Sequence, residues 1–489
     1  MITRWTAHEE YLGFLKAVVD DFRVNEPKKV IAFQKTIEKL SSLNLDPLFG
    51  ALKPYYANIG RPAVNQPEIF RSFVLMSDQG ETSVTNWHRR VESDDFLARL
   101  IGCEPGKTPP LGSYYDFIDR LWLRRKSLER EDRKRLVSFI RKPVKKIRRG
   151  VKLPNKSTGV AAKIKKFLVN GRSFNNRPER LIQELFALIA LVPSMELGLI
   201  DARNLTISGD GTCVPNKTSS RGIKVCECVS NGVFNCKCPR RFADPDAAWG
   251  FDSYKGQYFY GHTLYAFSYY NPALSIDLPL VMRFVRANRH DSVSGLVALA
   301  ELRQLSPRLP IKNVCFDSAN DNYATYELLK QWNYIPFIDL NHDVGRKPSY
   351  PDNININEKG IPTCAAGHEM TYNGNCKGRS RIKWRCPLKC GKVDSCPRLD
   401  QCSPSPYGRV FYTKPDWDLR LFTPVPRGSK EFKLTYKNRT CSERINNRLL
   451  NDYNLQHTGI RGKKRFSFFA MIAGINIHLD ARLKTATLA

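Results

Sequence analysis

Leu205-Thr-Ile-Ser-Gly-Asp-Gly-Thr212 is the stretch of sequence that decides the fold, because an apolar, branched run there ends at an aspartate between two glycines. A second run of this kind, Asn313-Val-Cys-Phe-Asp317, predicts another strand closed by an aspartate. A third acid lies in Tyr436-Lys-Asn-Arg-Thr-Cys-Ser-Glu-Arg444, which has helical character. Two acids at strand ends and one on a helix can converge on one point. The three acids are Asp210, Asp317 and Glu443.

Carboxylates in this arrangement are suited to binding divalent cations. Hard ions such as Mg²⁺ or Mn²⁺ take oxygen ligands, and a metal pair positions both the attacking and the leaving oxygen of a displacement at phosphorus. Taken singly, each acid has an ordinary alternative, either a solvated strand-end carboxylate or a helix salt bridge. The order of the elements between the acids favours the shared site.

Strands and helices are predicted in a characteristic order along this part of the chain. Aromatic and branched residues dominate 258–267 and 278–285, which predicts two strands after the one that carries Asp210. A helix start signal and helical apolar spacing follow from Asp291. The strand that ends at Asp317 comes next, then a helix over 322–332 and a strand over 335–340. Acids after the first and fourth strands of this series indicate a ribonuclease H-like α/β fold.

With these motifs the chain resembles the DDE transposases of bacterial and archaeal insertion sequences, in the group whose last acid lies in a Tyr-x2-Arg-x3-Glu-x6-Lys signature. Tyr436, Arg439 and Glu443 match that signature, whereas position 450 is Leu and the basic Arg448 lies two positions earlier. This departure bears on the terminal-lysine DNA contact and not on the acid. Matching stretches at 60–64, 87–90, 100–113, 244–250 and 287–292 extend the likeness over about residues 60–475.

The resemblance implies a DNA transposase, a metal-dependent endonuclease that cuts the ends of a mobile element and joins them to target DNA as a dimer. It also implies a ribonuclease H-like mixed sheet flanked by helices. A phosphate grip is implied for Arg439 with Tyr436 beside it. Stacking on a flipped base is implied for Trp249, with a core tryptophan as an equal alternative. The implied catalytic acids, which would hold Mg²⁺ or Mn²⁺, are Asp210, Asp317 and Glu443.

The helix that carries Glu443 has a predicted orientation. We expect Ile445 and Leu449 to pack against the sheet. Arg439, Glu443 and Asn447 would then form the stripe that faces the two aspartates.

Two other classes of protein share parts of this pattern. A zinc-containing DNA-binding regulator would need the basic charge and the cysteines but not the acids. A ribonuclease H-like nuclease would share the acids and cut DNA without strand transfer.

The net charge predicts a polyanionic partner. The 489-residue chain has a formal charge of +31 and a pI near 9.7, which favours double-stranded DNA. Residues 124–180 hold 21 Lys or Arg and 4 Asp or Glu, a net +17. Phosphate contacts by such an arm give affinity without base specificity, whereas a solvated basic surface is the alternative. The centre of this arm contains Lys145, Lys146, Arg148 and Arg149.

The expected location is the cytoplasm, in association with the nucleoid. The sequence contains no run of 18 or more apolar residues, and its first residues lack an apolar signal segment. We therefore expect no membrane partner.

Clustered cysteines predict structural metal. Of 14 cysteines, four follow the pattern Cys226-x-Cys228-x7-Cys236-x-Cys238. Such clustering in a cytosolic chain favours zinc over disulfides, with reduced, metal-free thiols as the alternative. A second set has seven members, more than one four-coordinate site needs, so it holds spare residues or a second metal. That set comprises Cys364, His368, Cys376, Cys386, Cys390, Cys396 and Cys402.

The predicted organisation has five parts. Residues 1–123 form a helical N-terminal DNA-binding domain, and 124–200 form a basic connector. Residues 201–345 form the first part of the catalytic core, with a cysteine-rich loop at 211–250. Residues 346–424 are a cysteine-rich insertion, and 425–489 complete the core with the glutamate helix.

Overall fold

A computed structural model of the chain describes residues 2, 4–124, 134–135, 159–172, 176–341, 350–351, 355–456 and 459–486. The centre of the basic arm, with Lys145, Lys146, Arg148 and Arg149, lies outside these residues. Helices occupy the N-terminal part, and apolar side chains at helical spacing bury one face of most of them. These helices are α1 His8–Asn25, α2 Pro27–Ala32, α3 Gln34–Ser41, α4 Asp46–Leu52, α5 Gln66–Asp78, α6 Val84–Ser93, α7 Asp95–Leu100 and α8 Leu111–Leu121.

The middle of the chain enters the sheet through short helices. They are α9 Val160–Val169, α10 Arg180–Phe186 and α11 Val192–Glu196, with a π-helical turn over Ala187–Leu191. The strands of the main sheet are β1 Leu205–Pro215, β2 Ala248–Asp252, β3 Gln257–Asn271, β4 Ile276–Arg286, β5 Ile311–Phe316 and β6 Ile335–Ile338. Two-residue strands at Lys134–Arg135, Ile223–Lys224 and Arg240–Arg241 form a small separate sheet.

The main sheet is mixed. Strand β3 pairs antiparallel with β1 on one side and with β4 and β2 on the other. Strand β1 pairs in parallel with β5, and β5 pairs in parallel with β6. The spatial order is therefore β4–β3–β1–β5–β6, with β2 extending the edge beside β4. Parallel neighbours need crossover connections, which α12 Asp291–Leu305 and α13 Tyr323–Gln331 provide.

The sequence predicts these strands and helices well, and the mixed α/β architecture is confirmed. One boundary is wrong. Strand β1 does not close at Asp210 but continues to Pro215, because β3 goes on pairing with it as far as Gly261. Asp210 is therefore an internal residue of β1, level with Ala266 of β3.

The C-terminal segment joins the sheet to the N-terminal helices. It contains α14 Lys430–Tyr436, α15 Thr440–Asn447 and the long α16 Lys463–Ala486. Helix α16 is buried along most of its length and packs against both β4 and α5. One hydrophobic core consequently runs from the N-terminal helices through α16 to the sheet. Among the described helices, none is long and apolar enough to cross a lipid bilayer.

The insertion between β6 and α14 has its own order. Strands β7 Thr371–Cys376, β8 Arg381–Arg385 and β9 Val410–Thr413 form an antiparallel sheet in which β8 is central. A small core that includes Trp384 and Phe422 supports it.

Buried polar contacts attach this insertion to the main sheet. Asp321, just after β5, accepts a hydrogen bond from Arg420 Nε at 2.7 Å and another from Tyr326 at 2.9 Å. Arg427 donates to the Ile338 carbonyl oxygen at the end of β6, at 2.9 Å. Charge-assisted bonds of this kind hold the C-terminal end of the insertion beside β6 and the loop that follows β5.

A buried lysine ties the N-terminal helices to α16. Lys39 on α3 is almost fully buried and contacts Asp78 of α5 at 2.5 Å and Asp480 of α16 at 2.8 Å. Burial opposes ionisation of Asp480, but the Lys39 charge outweighs it, with hydrogen bonds from neighbouring side chains, and lowers its pKa to about 2.

We predict that Lys39→Met lowers the free energy of unfolding by about 3 kcal/mol, since it leaves two partly buried carboxylates without this cation. Urea denaturation measures the effect. The control is Lys35→Met, because Lys35 contacts the same Asp480 at 2.8 Å but is 67% exposed, and exposed pairs contribute about 1 kcal/mol or less. Equal losses in the two variants would contradict the prediction.

Candidate functional site

Asp210 and Asp317 lie side by side on one face of the sheet. Ser208 of β1 is level with Cys315 of β5 in the parallel pair. Asp210 lies two residues further along β1, and Asp317 lies two residues beyond Cys315, directly after the end of β5. Side chains two residues apart point to the same face. The Ser208 hydroxyl donates to the Arg439 carbonyl oxygen at 3.3 Å, so this is the face covered by the segment leading into α15.

The two aspartates disfavour each other's charge. Burial raises the pKa of Asp210 to about 7, and the neighbouring Asp317 adds to the rise. The positive charge of Arg439 acts in the opposite direction without cancelling it. Each carboxylate has one neutral donor, since the Asn446 amide donates to Asp210 at 3.2 Å and the Asn320 amide donates to Asp317 at 3.0 Å. A bound cation would relieve the remaining repulsion.

Glu443 lies on the neighbouring helix and is paired with a base. Its side chain is 51% exposed and accepts a charge-assisted bond from Arg439 at 2.5 Å, one helical turn away. Arg439 is also close enough to Asp210 to lower its pKa. Arg439 therefore interacts with both Glu443 and Asp210, whereas the three acids do not form a compact group of ligand atoms among the described residues.

The orientation of α15 is predicted in part. Ile445 and Leu449 are fully buried, as expected. The amide that reaches Asp210 belongs to Asn446, which the prediction did not name, and Asn447 is exposed, as expected for the solvent side of the helix. A 3₁₀ turn over Lys437–Arg439 precedes α15.

Tyr436 and Trp249, the two aromatic residues expected to contact DNA, differ in how far their side chains are exposed. Tyr436 stacks on Phe432 with ring centroids 5.5 Å apart and is half-buried. Burial and the charge of Asp339 raise its pKa. Trp249 is 57% exposed on β2, so the alternative of a core tryptophan is wrong. It faces Tyr260 across the β2–β3 hairpin at 5.7 Å.

The hairpin carries further exposed aromatic side chains that sequence patterns did not single out. Phe251 and Tyr258 face each other at 5.1 Å on the same hairpin. Tyr254 at its tip is 96% exposed. In the sequence, aromatic residues alternate with other residues at positions 249, 251, 258 and 260. This alternation could have indicated the aromatic surface, since it puts these rings on one face of two paired strands.

The first cysteine cluster is assembled as a metal site. The Cys226 and Cys236 sulfurs are 3.4 Å apart, the Cys228 and Cys238 sulfurs 3.5 Å apart, and all four lie within 4.8 Å of one another. Tetrahedral zinc with bonds of about 2.3 Å places its sulfurs ~3.8 Å apart, which fits. Hydrogen bonds from the Cys228 amide and the Cys236 thiol lower the pKa of Cys226 to about 7, which favours a thiolate ligand. These residues can hold a structural metal such as zinc.

Within the described part of the chain, this is the only group of three or more Cys, His, Asp or Glu ligand atoms so close together. The second cysteine set is looser. Cys364, Cys386, Cys396 and Cys402 line one cavity of about 70 Å³ together with Arg398 and Arg409, whereas Cys376, Cys390 and His368 do not line it.

One further acid adjoins the aspartates. Asp291 begins α12, and burial together with the charge of Asp317 raises its pKa to about 6. In the sequence it stands out only as a helix start, because helix N-termini commonly carry acids.

Comparisons with protein-family models and with curated proteins do not assign a function to this chain. No protein-family model matches the sequence, and no curated protein is significantly similar to it. The candidate function therefore depends on the chemistry of these side chains.

We predict that purified protein carries one zinc ion in the first cluster. Elemental analysis of Cys226→Ser/Cys236→Ser should show one zinc fewer per chain than the unmodified protein, because two of four ligands are lost. The matched control is Cys376→Ser/Cys390→Ser, which leaves this group intact. Equal zinc content in the unmodified protein and the first variant would contradict the assignment.

We predict that Asp210→Asn stabilises the metal-free protein at pH 8. The folded-state pKa of about 7 exceeds the ordinary value of 3.8, so the stability present below pH 4 is lost as the pH rises through 7. The difference corresponds to at most ~4 kcal/mol, and we expect about 2 kcal/mol because solvent reaches part of the carboxyl group.

Urea denaturation in a chelator at pH 8 and pH 4 measures this effect, which should vanish at the lower pH. The control is Asp246→Asn, whose carboxylate is 44% exposed beside Arg286. A gain that is equal at both pH values would rule out the proposed electrostatic cause.

Proposed function

We propose that this chain is a DNA transposase that uses Asp210, Asp317 and Glu443 to cut the ends of a mobile element and join them to target DNA. The observation that carries the proposal is the adjacent placement of Asp210 and Asp317 on one face of a parallel strand pair. Asp210 has a raised pKa beside the charge of Asp317, which is unfavourable for the fold unless a cation joins the two carboxylates.

The strand order supports a ribonuclease H-like core. Three antiparallel strands, β4, β3 and β1, continue into the parallel strands β5 and β6, with crossover helices between the later strands. The acids lie in the first and immediately after the fourth strand of the series β1, β3, β4, β5 and β6. This is the arrangement that the sequence motifs imply.

The site chemistry suits phosphodiester hydrolysis. Mg²⁺ or Mn²⁺ held by the aspartates would activate a water molecule and neutralise charge on the phosphate. Arg439 pairs with Glu443 and acts on the charge of Asp210, and it could donate to a phosphate oxygen. Asn446 and Asn320 fix the orientation of the two aspartates. In the joining step the freed 3′-hydroxyl of the element end would take the water's role as nucleophile, form the new bond to a target phosphorus and displace the 3′-oxygen of the target strand.

Surface chemistry supports a DNA partner. The formal charge of +31 favours binding to a polyanion through sequence-independent phosphate contacts. The aromatic face of the β2–β3 hairpin, with Trp249 and Tyr258, offers stacking surface to unpaired bases. A dimer on DNA, as in the transposases the sequence resembles, and a nucleoid location belong to the same proposal.

We predict that Asp317→Asn abolishes cleavage and joining while DNA binding stays near normal. The substrate is a duplex that carries the genomic sequence flanking the coding region, tested with Mg²⁺ and a target plasmid. Loss of one carboxylate should slow cleavage roughly a hundredfold or more, whereas binding depends on basic residues away from the site. Gel shift at matched salt measures binding, and Asp246→Asn is the control.

The outcomes separate the three classes of protein. Cutting without joining would identify a nuclease. DNA binding without any metal-dependent cleavage would favour the zinc-containing regulator. Full cleavage by Asp317→Asn would exclude the proposed site.

A further inference from the structure

Asp291 is placed against the strand that carries Asp210. A Cβ atom added to Gly211 would lie 2.6 Å from Asp291 Oδ1 and 3.2 Å from Thr263, so the carboxylate rests directly on the backbone of β1. Gly211 is the residue after Asp210, and its side-chain position is on the other face of the sheet. Only a glycine permits this close approach without displacing the carboxylate.

A buried hydroxyl lies beneath the first turn of α12. Tyr265 is fully buried, and its hydroxyl has no hydrogen-bond partner among the described residues. A Cβ atom on Gly295 would lie 2.7 Å from that hydroxyl and 3.0 Å from Asn320 Oδ1, which also has no partner there. Asn320 holds Asp317 through its amide group. The unpartnered hydroxyl therefore lies between the helix that begins at Asp291 and the loop that carries Asp317.

The charges of Asp291, Asp317 and Asp210 all act on this tyrosine. Burial contributes most to its raised pKa, and the three aspartates follow in that order. The Asn320 side chain lies near enough to act in the opposite direction on this pKa, yet neither the hydroxyl nor Asn320 Oδ1 has a hydrogen bond of good geometry among the described residues. A water molecule in the coordination shell of a cation would satisfy the hydroxyl.

Space for a ligand adjoins Asp291. A cavity of about 500 Å³ is lined by Gly211, Thr212 and Asp291 on one side and by Tyr254 and Lys255 of the hairpin on the other. Asp291 thus borders both the aspartate pair and an open cavity.

We propose that Asp291 is a further ligand of the divalent cation held by Asp210 and Asp317, with Tyr265 donating a hydrogen bond to cation-bound water. This inference rests on the proposed function and adds a third aspartate to its metal site. The alternative is that Asp291 only interacts with the N-terminus of α12, where acids are favourable by themselves. That structural role would leave cation affinity unchanged.

The test is binding of Mn²⁺ alone to the full chain, measured by calorimetry and by the electron paramagnetic resonance signal of free Mn²⁺. We expect Asp291→Asn to weaken binding roughly tenfold to a hundredfold and Tyr265→Phe to weaken it about fivefold. Asp246→Asn is the matched control and should bind as the unmodified chain does. Circular dichroism with chelator present shows whether the variants fold. If Asp291→Asn does not fold, Mn²⁺ binding by Tyr265→Phe decides the question.

The results distinguish this inference from the proposed function. Unchanged Mn²⁺ affinity in folded Asp291→Asn, with loss of binding in Asp210→Asn, would overturn the role of Asp291 alone. Unchanged affinity in Tyr265→Phe would overturn it where Asp291→Asn is unfolded. A chain that binds no Mn²⁺ at any site would overturn both.

Discussion

Repulsion between the partly buried carboxylates of Asp210 and Asp317 is the interaction on which the rest of this structure depends. The parallel pairing of β1 with β5 fixes the two side chains on one face, so neither can move away from the other. Asn446, Asn320 and the charge of Arg439 reduce the repulsion, yet the pKa of Asp210 still stands near 7. A scaffold that holds such a pair must gain its stability elsewhere.

That stability comes from elements on both sides of the sheet. Helix α16 is buried between β4 and α5, so the N-terminal helices and the sheet share one hydrophobic core. The insertion is attached through Asp321, Arg420 and Arg427, next to the loop that carries Asp317. The second connection braces the loop after β5, which cannot move without disturbing the buried Asp321–Arg420 bond. Helix α15 is held against the sheet by the buried Ile445 and Leu449.

The sequence predicts the strands and helices because their apolar periodicities are strong and local, and it predicts that β1 and β5 carry neighbouring aspartates. It does not predict where β1 ends, since that boundary is set by the length of its partner β3. It does not single out Asn446, because helical spacing from Glu443 allows both 446 and 447 to face the site, and only the packing of α15 on the sheet decides that the Asn446 amide reaches Asp210. The sequence does not single out Asp291, because its closeness to Gly211 arises from tertiary packing. An acid in the first turn of a helix is favourable by itself and so does not indicate a site.

The energies of two interactions indicate different roles for Glu443 and for the two aspartates. The Arg439–Glu443 pair is partly exposed and one helical turn apart, so breaking it costs about 0.5 kcal/mol. Charging Asp210 beside Asp317 costs up to several times more, because the site is buried. In the proposed function, a cation would gain most of its binding energy by relieving the repulsion at Asp210, whereas Glu443 could exchange Arg439 for another partner at little cost. On that proposal the aspartates would define the cation site, and Glu443 would be the acid whose partner changes during the reaction.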